Sequence, residues 1–233
     1  MNIVDLNNTI GVEWDEICEI RAKEIENEED KTYGKVLLPY ILEVVKHNTK
    51  LTDVVLDIGC GCSFLTSKIS KMRDVHGIDI SQKAIIYSRN KYPDILFFHG
   101  DACKIKLSQK YNFAVANMVV HNLPNYNDFF NNVYRMLNND GLLLIILLHP
   151  RYWANDKLKN QGFIYNEQNM YLRNLKNCSK QIRYYHRPIC DYISALEQCG
   201  LELWSIKPIY EEYDSIRYQK YPHILSILAK KGY

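Results

Sequence analysis

Three acidic residues close short apolar runs in this chain. They are Asp57 in Val54-Val55-Leu56-Asp57-Ile58, Asp79 in Gly77-Ile78-Asp79-Ile80, and Asp101 in His99-Gly100-Asp101-Ala102. The first of these runs is followed at once by Gly59-Cys60-Gly61, one residue beyond Asp57. Glycines placed directly after an apolar run allow a tight turn and let the backbone approach a ligand unobstructed. Alone, such a turn fits any nucleotide-like ligand. The carboxylate before the first glycine narrows the choice, because it repels a pyrophosphate and welcomes an ammonium group. No Gly-Lys-Ser/Thr follows, which excludes a P-loop. Asp79 lies about twenty residues further on, a spacing that suits a carboxylate on ribose hydroxyls.

A second group could orient or deprotonate an acceptor. His149, His186, His121, Tyr152 and Tyr184 lie near the ends of later apolar runs or in the segment after them. Histidine has the pKa for proton transfer near neutrality. A strand end faces the mouth of a parallel sheet, which ranks His149 first, with His186 and Tyr184 beside it. Each histidine could equally make a structural hydrogen bond.

Positioning these residues requires alternating strands and helices. The pattern reads as two N-terminal helices, Trp14 to Asn27 and Tyr33 to His47, with Pro39 kinking the second or marking its start. Strands are expected at Val54 to Ile58, Val75 to Ile80, Ile95 to His99, Asn112 to Val119 and Leu142 to Leu148. Helices are expected from Ser63 to Met72, from Gln82 to Lys91 with Ser81 as N-cap, and from Asp128 to Leu137. Residues 151–185 show no sustained period and read as an irregular substrate lid, with a partly ordered surface insertion as the alternative. Pro188 to Gln198 is a helix closed by Gly200. Strands at Leu201 to Ile206 and His223 to Ala229 complete the sheet. The alternation predicts a single α/β domain over 1–233, doubly wound around a mostly parallel seven-stranded sheet. Residues 1–50 form a helical cap within it.

Composition sets the outer limits. The chain has 233 residues, 47% of them hydrophobic, and a formal net charge of +2. No global basic field calls for nucleic acid, although Lys157, Lys159, Arg173, Lys176, Lys180 and Arg183 could supply a local one. The seven cysteines form no C-x-x-C pair, which argues against a zinc site and for a reducing compartment. No metal is expected. The acidic N-terminus lacks an apolar core of the signal-peptide kind, and Gly141 to Leu148 is too short to span a bilayer. A cytoplasmic location is expected. The sequence does not speak to oligomeric state.

Asp57-Ile58-Gly59-Cys60-Gly61 resembles the first motif of class I S-adenosylmethionine-dependent methyltransferases, and three further elements fall in that family's order. The resemblance covers residues 37–148, extends more loosely to the C-terminus, and implies a Rossmann-like fold with S-adenosyl-L-methionine as cofactor. It implies that Asp79 and Ile80 hold the ribose, Asp101 accepts the adenine amino group, and the Ala102 backbone meets the ring. Asn117-Met118, closing the fourth strand, would give backbone contacts at the edge of the reaction centre. One departure is Ser63, where the family turn usually has glycine; it is expected to cap the following helix. Downstream, His149-Pro150-Arg151-Tyr152 and Tyr184-Tyr185-His186-Arg187-Pro188 are similar to acceptor-pocket borders of the small-molecule, ubiquinone-biosynthesis-like enzymes. In similar proteins an N-terminal segment carrying Trp14, Arg21, Tyr33 and Tyr40 would cover the cofactor, with Tyr33 facing the sulfonium as a cation–π partner.

The reading favoured is methyl transfer to an oxygen, nitrogen or carbon of a small molecule. Three others stay open: intramolecular cyclisation or aminobutyryl transfer from the same cofactor, methylation of RNA, and a non-enzymatic cofactor-sensing subunit.

Overall fold

The strands that are most apolar in sequence form the centre of the molecule. The structure is a computed structural model, and it describes residues 3–175, 180–211 and 221–232. Strands β1 (Val54–Ile58), β2 (Asp74–Asp79), β3 (Leu96–His99), β4 (Tyr111–Asn117) and β5 (Leu137–Leu148) pair in parallel. β8 (Leu201–Ile209) and β9 (Ile224–Lys231) extend this sheet, with β9 antiparallel to both β5 and β8. The spatial order is β3-β2-β1-β4-β5-β9-β8. The sheet is the expected seven-stranded one. A separate hairpin, β6 (Asn169–Asn174) with β7 (Gln181–His186), stands outside it.

Side chains of a strand point alternately to the two faces of a sheet, and both faces are buried here. Leu56 and Ile58 of β1, with Leu143, Ile145 and Leu147 of β5, face helices α5 (Tyr126–Met136) and α7 (Ile189–Gln198). Val55, Leu144 and Ile146 face the other side, where α2 (Leu38–Asn48) and α3 (Phe64–Ile69) supply Ile41, Val45, Leu65 and Ile69. Burial on both faces explains why these strands read as continuous apolar runs.

Several elements differ from expectation for local reasons. The first helix, α1 (Ile3–Glu26), begins earlier than its apolar pattern suggests. The second opens as a π-helical turn over Tyr33–Leu37 and becomes α-helical at Leu38. Pro39 has no N–H to donate back along the helix, so the backbone widens ahead of it. α3 ends at Ile69, three residues early. The Asn138 to Gly141 turn is absorbed into β5 as an irregularity in its pairing with β4, and Asp140 takes φ +60° there. Residues 151–185 are not irregular in their described part. They contain α6 (Tyr152–Leu158), a 3₁₀ turn at Lys159–Gln161 and the β6–β7 hairpin. A polar two-stranded hairpin with one packed face gives too weak a pattern to show in sequence. Lys176 and Cys178 lie outside the described residues. α4 (Gln82–Lys91) matches its expectation, and Ser81 caps it by accepting from the Ala84 N–H at 3.1 Å. Among the described residues no helix is long and apolar enough to cross a membrane.

The strand order reverses between β1 and β4. In an open parallel sheet this switch point leaves a crevice at the C-terminal strand ends, where ligands bind.

Candidate active site

A cavity of about 440 Å³ occupies this crevice. Its floor is the turn after β1. Gly59 and Gly61 take φ +70° and +52°, conformations that glycine adopts without strain. A Cβ on Gly59 would come within 2.3 Å of the Val119 side chain, whereas one on Gly61 would meet nothing within 4 Å. The space beside Gly61 is therefore a place where a ligand can lie against backbone. The Gly59 and Cys60 N–H groups donate to Ile78 O at 2.8 and 3.0 Å, locking the turn onto β2.

Ser63 does not cap α3. It takes φ +62°, and its Oγ donates to Ser88 Oγ at 2.7 Å instead of meeting a helix N–H. A left-handed backbone at the position where glycine is usual explains the change: the side chain is carried under the turn, towards α4.

The three acids stand along one wall, each at or just past a strand end. Asp57 is buried, and its Oδ2 accepts from Thr66 Oγ1 at 2.6 Å. Burial pushes its carboxyl up to about 7, with Thr66 opposing and Asp79 adding to the rise. Asp79 accepts from the Gly61 N–H at 2.8 Å through Oδ2 and from the Ser81 N–H at 2.7 Å through Oδ1. Burial holds its carboxyl above the usual range despite these two bonds. Asp101 accepts from the Cys103 N–H at 2.9 Å. Each of these carboxylate oxygens has a second lone pair for a ligand donor.

The opposite wall and roof come from the N-terminal elements and the hairpin. Trp14, Cys18 and Arg21 of α1, together with Tyr33, line the cavity, as do Arg173, Asn174 and Leu175 at the end of β6. Cys18 Sγ lies 3.2 Å from Cys62 Sγ, seating α1 against the glycine turn. Asp15 of α1 accepts from Ser81 Oγ at 2.6 Å and from the Lys83 N–H at 2.9 Å, tying α1 to the start of α4. Glu13–Arg183 and Glu16–Lys180 ion pairs, 2.6 and 2.8 Å, connect α1 to the hairpin.

Four polar atoms on the cavity lining are buried without a partner among the described residues: Tyr33 Oη, Asn117 Oδ1, Asn122 Oδ1 and Arg173 Nε. Buried polar groups are hydrogen-bonded in nearly every native protein. Four orphans around one cavity mark it as a site that a polar ligand completes. Met118, between two of them, takes φ +61°. Such backbone is strained for a side-chain-bearing residue and concentrates at functional sites.

Every residue named from sequence as cofactor-binding lines this cavity: Tyr33, Asp57, Gly59, Cys60, Gly61, Asp79, Ile80, Asp101, Ala102, Asn117 and Met118. His149, His186 and Tyr184 do not line it. His149 follows β5 as expected, but its Nδ1 accepts from the Arg151 and Tyr152 N–H groups at 3.3 and 3.4 Å, capping α6. Burial, with His223 and Arg151 adding to it, lowers its pKa to about 4. His186 Nε2 meets Tyr165 O at 2.9 Å, and Tyr184 is fully buried against Trp153 and His121. Tyr152 packs on His149, and Tyr40 donates to Ser226 Oγ at 2.9 Å, outside the cavity lining. The described basic residues of 157–183 are dispersed. Lys157 approaches Asp156 at 3.5 Å, Lys180 and Arg183 pair with α1, and Arg173 lines the cavity. Asn122 and Arg173 are site residues that sequence reasoning did not select.

Comparison with known proteins agrees with this geometry. Residues 55–141 match the methyltransferase domain family. An S-adenosylmethionine-dependent methyltransferase structure from Methanosarcina mazei superimposes with a TM-score of 0.66 at 18% identity, covering 81% of this chain and 97% of that one. The Burkholderia thailandensis 1,6-didemethyltoxoflavin-N1-methyltransferase, solved with its substrate and S-adenosylhomocysteine, gives 0.64 at 13% identity over 93% of this chain and 88% of that one. Among curated relatives, a malonyl-[acyl-carrier protein] O-methyltransferase of Bacillus cereus is 25% identical over 95 residues. That match covers 39% of this chain and only 35% of the relative's length. Its Calditerrivibrio nitroreducens counterpart is 25% identical over 170 residues, 72% of this chain and 69% of that protein. The fold is the one these S-adenosylmethionine-dependent methyltransferase structures share. The segment that matches the methyltransferase domain family runs from β1 into β5 and holds the glycine turn and the three acids.

Proposed function

We propose that the protein transfers a methyl group from S-adenosyl-L-methionine to a small-molecule acceptor, with both bound in the cavity at the β1/β4 switch point. The single observation that carries this is the set of partnerless polar atoms facing three strand-end carboxylates across one cavity. The cofactor supplies an electrophilic methyl on a sulfonium. Asp57 would receive its ammonium, Asp79 and Ile80 its ribose, and Asp101 and Ala102 its adenine. Tyr33 would face the sulfonium, while Asn117 and Met118 hold the edge of the reaction centre. Methyl displacement is in line, so alignment supplies much of the rate. The roof formed by α1 and the hairpin serves that alignment and keeps water out. In this reading residues 151–185 act as the lid, and His149, His186 and Tyr184 position its elements. The toxoflavin and malonyl-carrier enzymes act on acceptors other than nucleic acid, which supports a small-molecule acceptor here. The described cysteines are free thiols, which suits a cytoplasmic location.

Calorimetry with S-adenosylhomocysteine tests the assignment: one molecule should bind per chain, and Asp79→Ala should weaken it at least tenfold. Wild-type protein that binds neither this product nor S-adenosylmethionine would refute the reading. Methylthioadenosine as the product, in place of S-adenosylhomocysteine, would move the chemistry to cyclisation or aminobutyryl transfer.

A further inference from the structure

Two arginines sit beneath the hairpin, and they are treated differently. Arg187 is nearly inaccessible; its Nη2 donates to Leu123 O at 2.7 Å and Pro124 O at 3.0 Å, and its guanidinium stacks 4.2 Å from the Tyr126 ring centroid. Arg173 lines the cavity, and its buried Nε has no partner. Among the described residues no carboxylate pairs with it. Its guanidinium lies 5.9 Å from the Trp153 ring centroid, Tyr184 and another cation, Arg21, act on it, and burial pulls its pKa down to about 10. Arg21, by contrast, is neutralised by Glu24 and Asp30. A guanidinium withdrawn from water without a counter-charge is costly. Its planar fork matches a carboxylate.

We propose that Arg173 anchors the acceptor's carboxylate, so that the methyl acceptor is a small carboxylic acid. This rests on the methyl-transfer reading above. The acceptor's carboxylate, rather than the amino-acid carboxylate of the cofactor, is assigned because of where Arg173 stands. Arg21 stands on α1, paired with Asp30, whereas Arg173 stands on β6 with its guanidinium 5.9 Å from the Trp153 ring of α6. The chemistry agrees with the lining, in which no described histidine appears. A carboxylate oxygen attacks the sulfonium methyl, the new O–CH₃ bond forms as the C–S bond breaks, and the C–S electron pair remains on sulfur. The products are a neutral methyl ester and S-adenosylhomocysteine. No proton has to leave, so no general base is needed.

The test uses full-length protein saturated with S-adenosylhomocysteine, with malonate, succinate and benzoate as probes in thermal-shift and calorimetric titrations. At least one acid should bind wild type, and Arg173→Gln should weaken it tenfold or more while leaving S-adenosylhomocysteine affinity unchanged. Arg173→Lys should retain part of the binding, which separates charge recognition from damage to the hairpin. With radiolabelled methyl donor, the acid that binds should yield a base-labile methyl ester. The proposal is overturned if none of the acids binds wild type, or if Arg173→Gln binds the acid as well as wild type does. It is also overturned if the substitution weakens S-adenosylhomocysteine but not methylthioadenosine, which lacks the amino-acid carboxylate. Failure of wild type to bind S-adenosylhomocysteine at all would instead remove the methyl-transfer reading.

Discussion

Asp57 is buried against Thr66 with its carboxyl near pKa 7, so below neutrality the free protein holds a proton there. A ligand ammonium needs the carboxylate. Binding should therefore expel that proton, and affinity should rise with pH up to about 7 and level off above it. Calorimetry of S-adenosylhomocysteine near pH 6 in buffers of different ionisation enthalpy should show close to one proton released. Asp57→Asn should release none and bind with little pH dependence. Proton release equal in the two proteins would detach Asp57 from the ammonium. Asp79 differs in kind: both of its oxygens already hold backbone N–H groups of the turn and of α4. Its replacement should damage the turn as well as the ribose contact, and Asp79→Ala should lower stability where Asp57→Asn does not.

At the scale of elements, the site is assembled by α1 docking onto the N-terminus of α4. Asp15 accepts from both the Ser81 hydroxyl and the Lys83 N–H, while Ser81 caps α4. Losing the cap alone costs about 1 kcal/mol. Because the two side chains share one network, Ser81→Ala and Asp15→Ala should each destabilise, and the double variant should lose less than their sum, with a coupling of about 0.5 kcal/mol or more. Urea denaturation of the four proteins measures this, and strict additivity would mean that α1 docks independently of α4. These elements also show what the sequence could reveal. α4 and its cap were legible because a polar N-cap, a helical run and a proline stop all agree locally. The strand-end acids were legible because parallel strands fix where their C-termini point. The β6–β7 hairpin was not, since its residues alternate between packed and exposed without an apolar signal. Arg173 was hidden for the same reason. Its sequence neighbours, Lys and Arg among Asn and Tyr, give no sign that it alone turns into the cavity. His149 was placed correctly at a strand end, but its rotamer serves the α6 cap, and a strand-end position does not determine where a side chain turns.

For the whole molecule, two sets of buried titratable groups oppose each other across the acidic range. Asp57 and Asp79 have raised pKa values in the folded chain. They favour folding when protonated, and that contribution is lost as pH rises above the unfolded carboxyl value, for Asp57 towards about 7. His149, His186, His121 and His76 have lowered values, each chiefly through burial. They favour folding when neutral, so their contribution is present above the unfolded value of about 6.5 and is lost as pH falls below it, for His149 towards about 4. Between about pH 4.5 and 6.5 the Asp57 contribution falls and the His149 contribution rises with increasing pH, so these two groups oppose each other in the ligand-free protein. Asp57→Asn removes that carboxyl and leaves the histidines less opposed. Its urea midpoint should climb more steeply with pH over that window than the wild-type midpoint, even if the substitution shifts stability uniformly. His149→Asn, which can still accept the α6 N–H groups, should show the reverse, a midpoint that climbs less steeply with pH than the wild-type one. Parallel profiles for all three proteins would mean that Asp57 and His149 titrate in the folded chain as they do in the unfolded one, and that the burial described for them does not govern their charge.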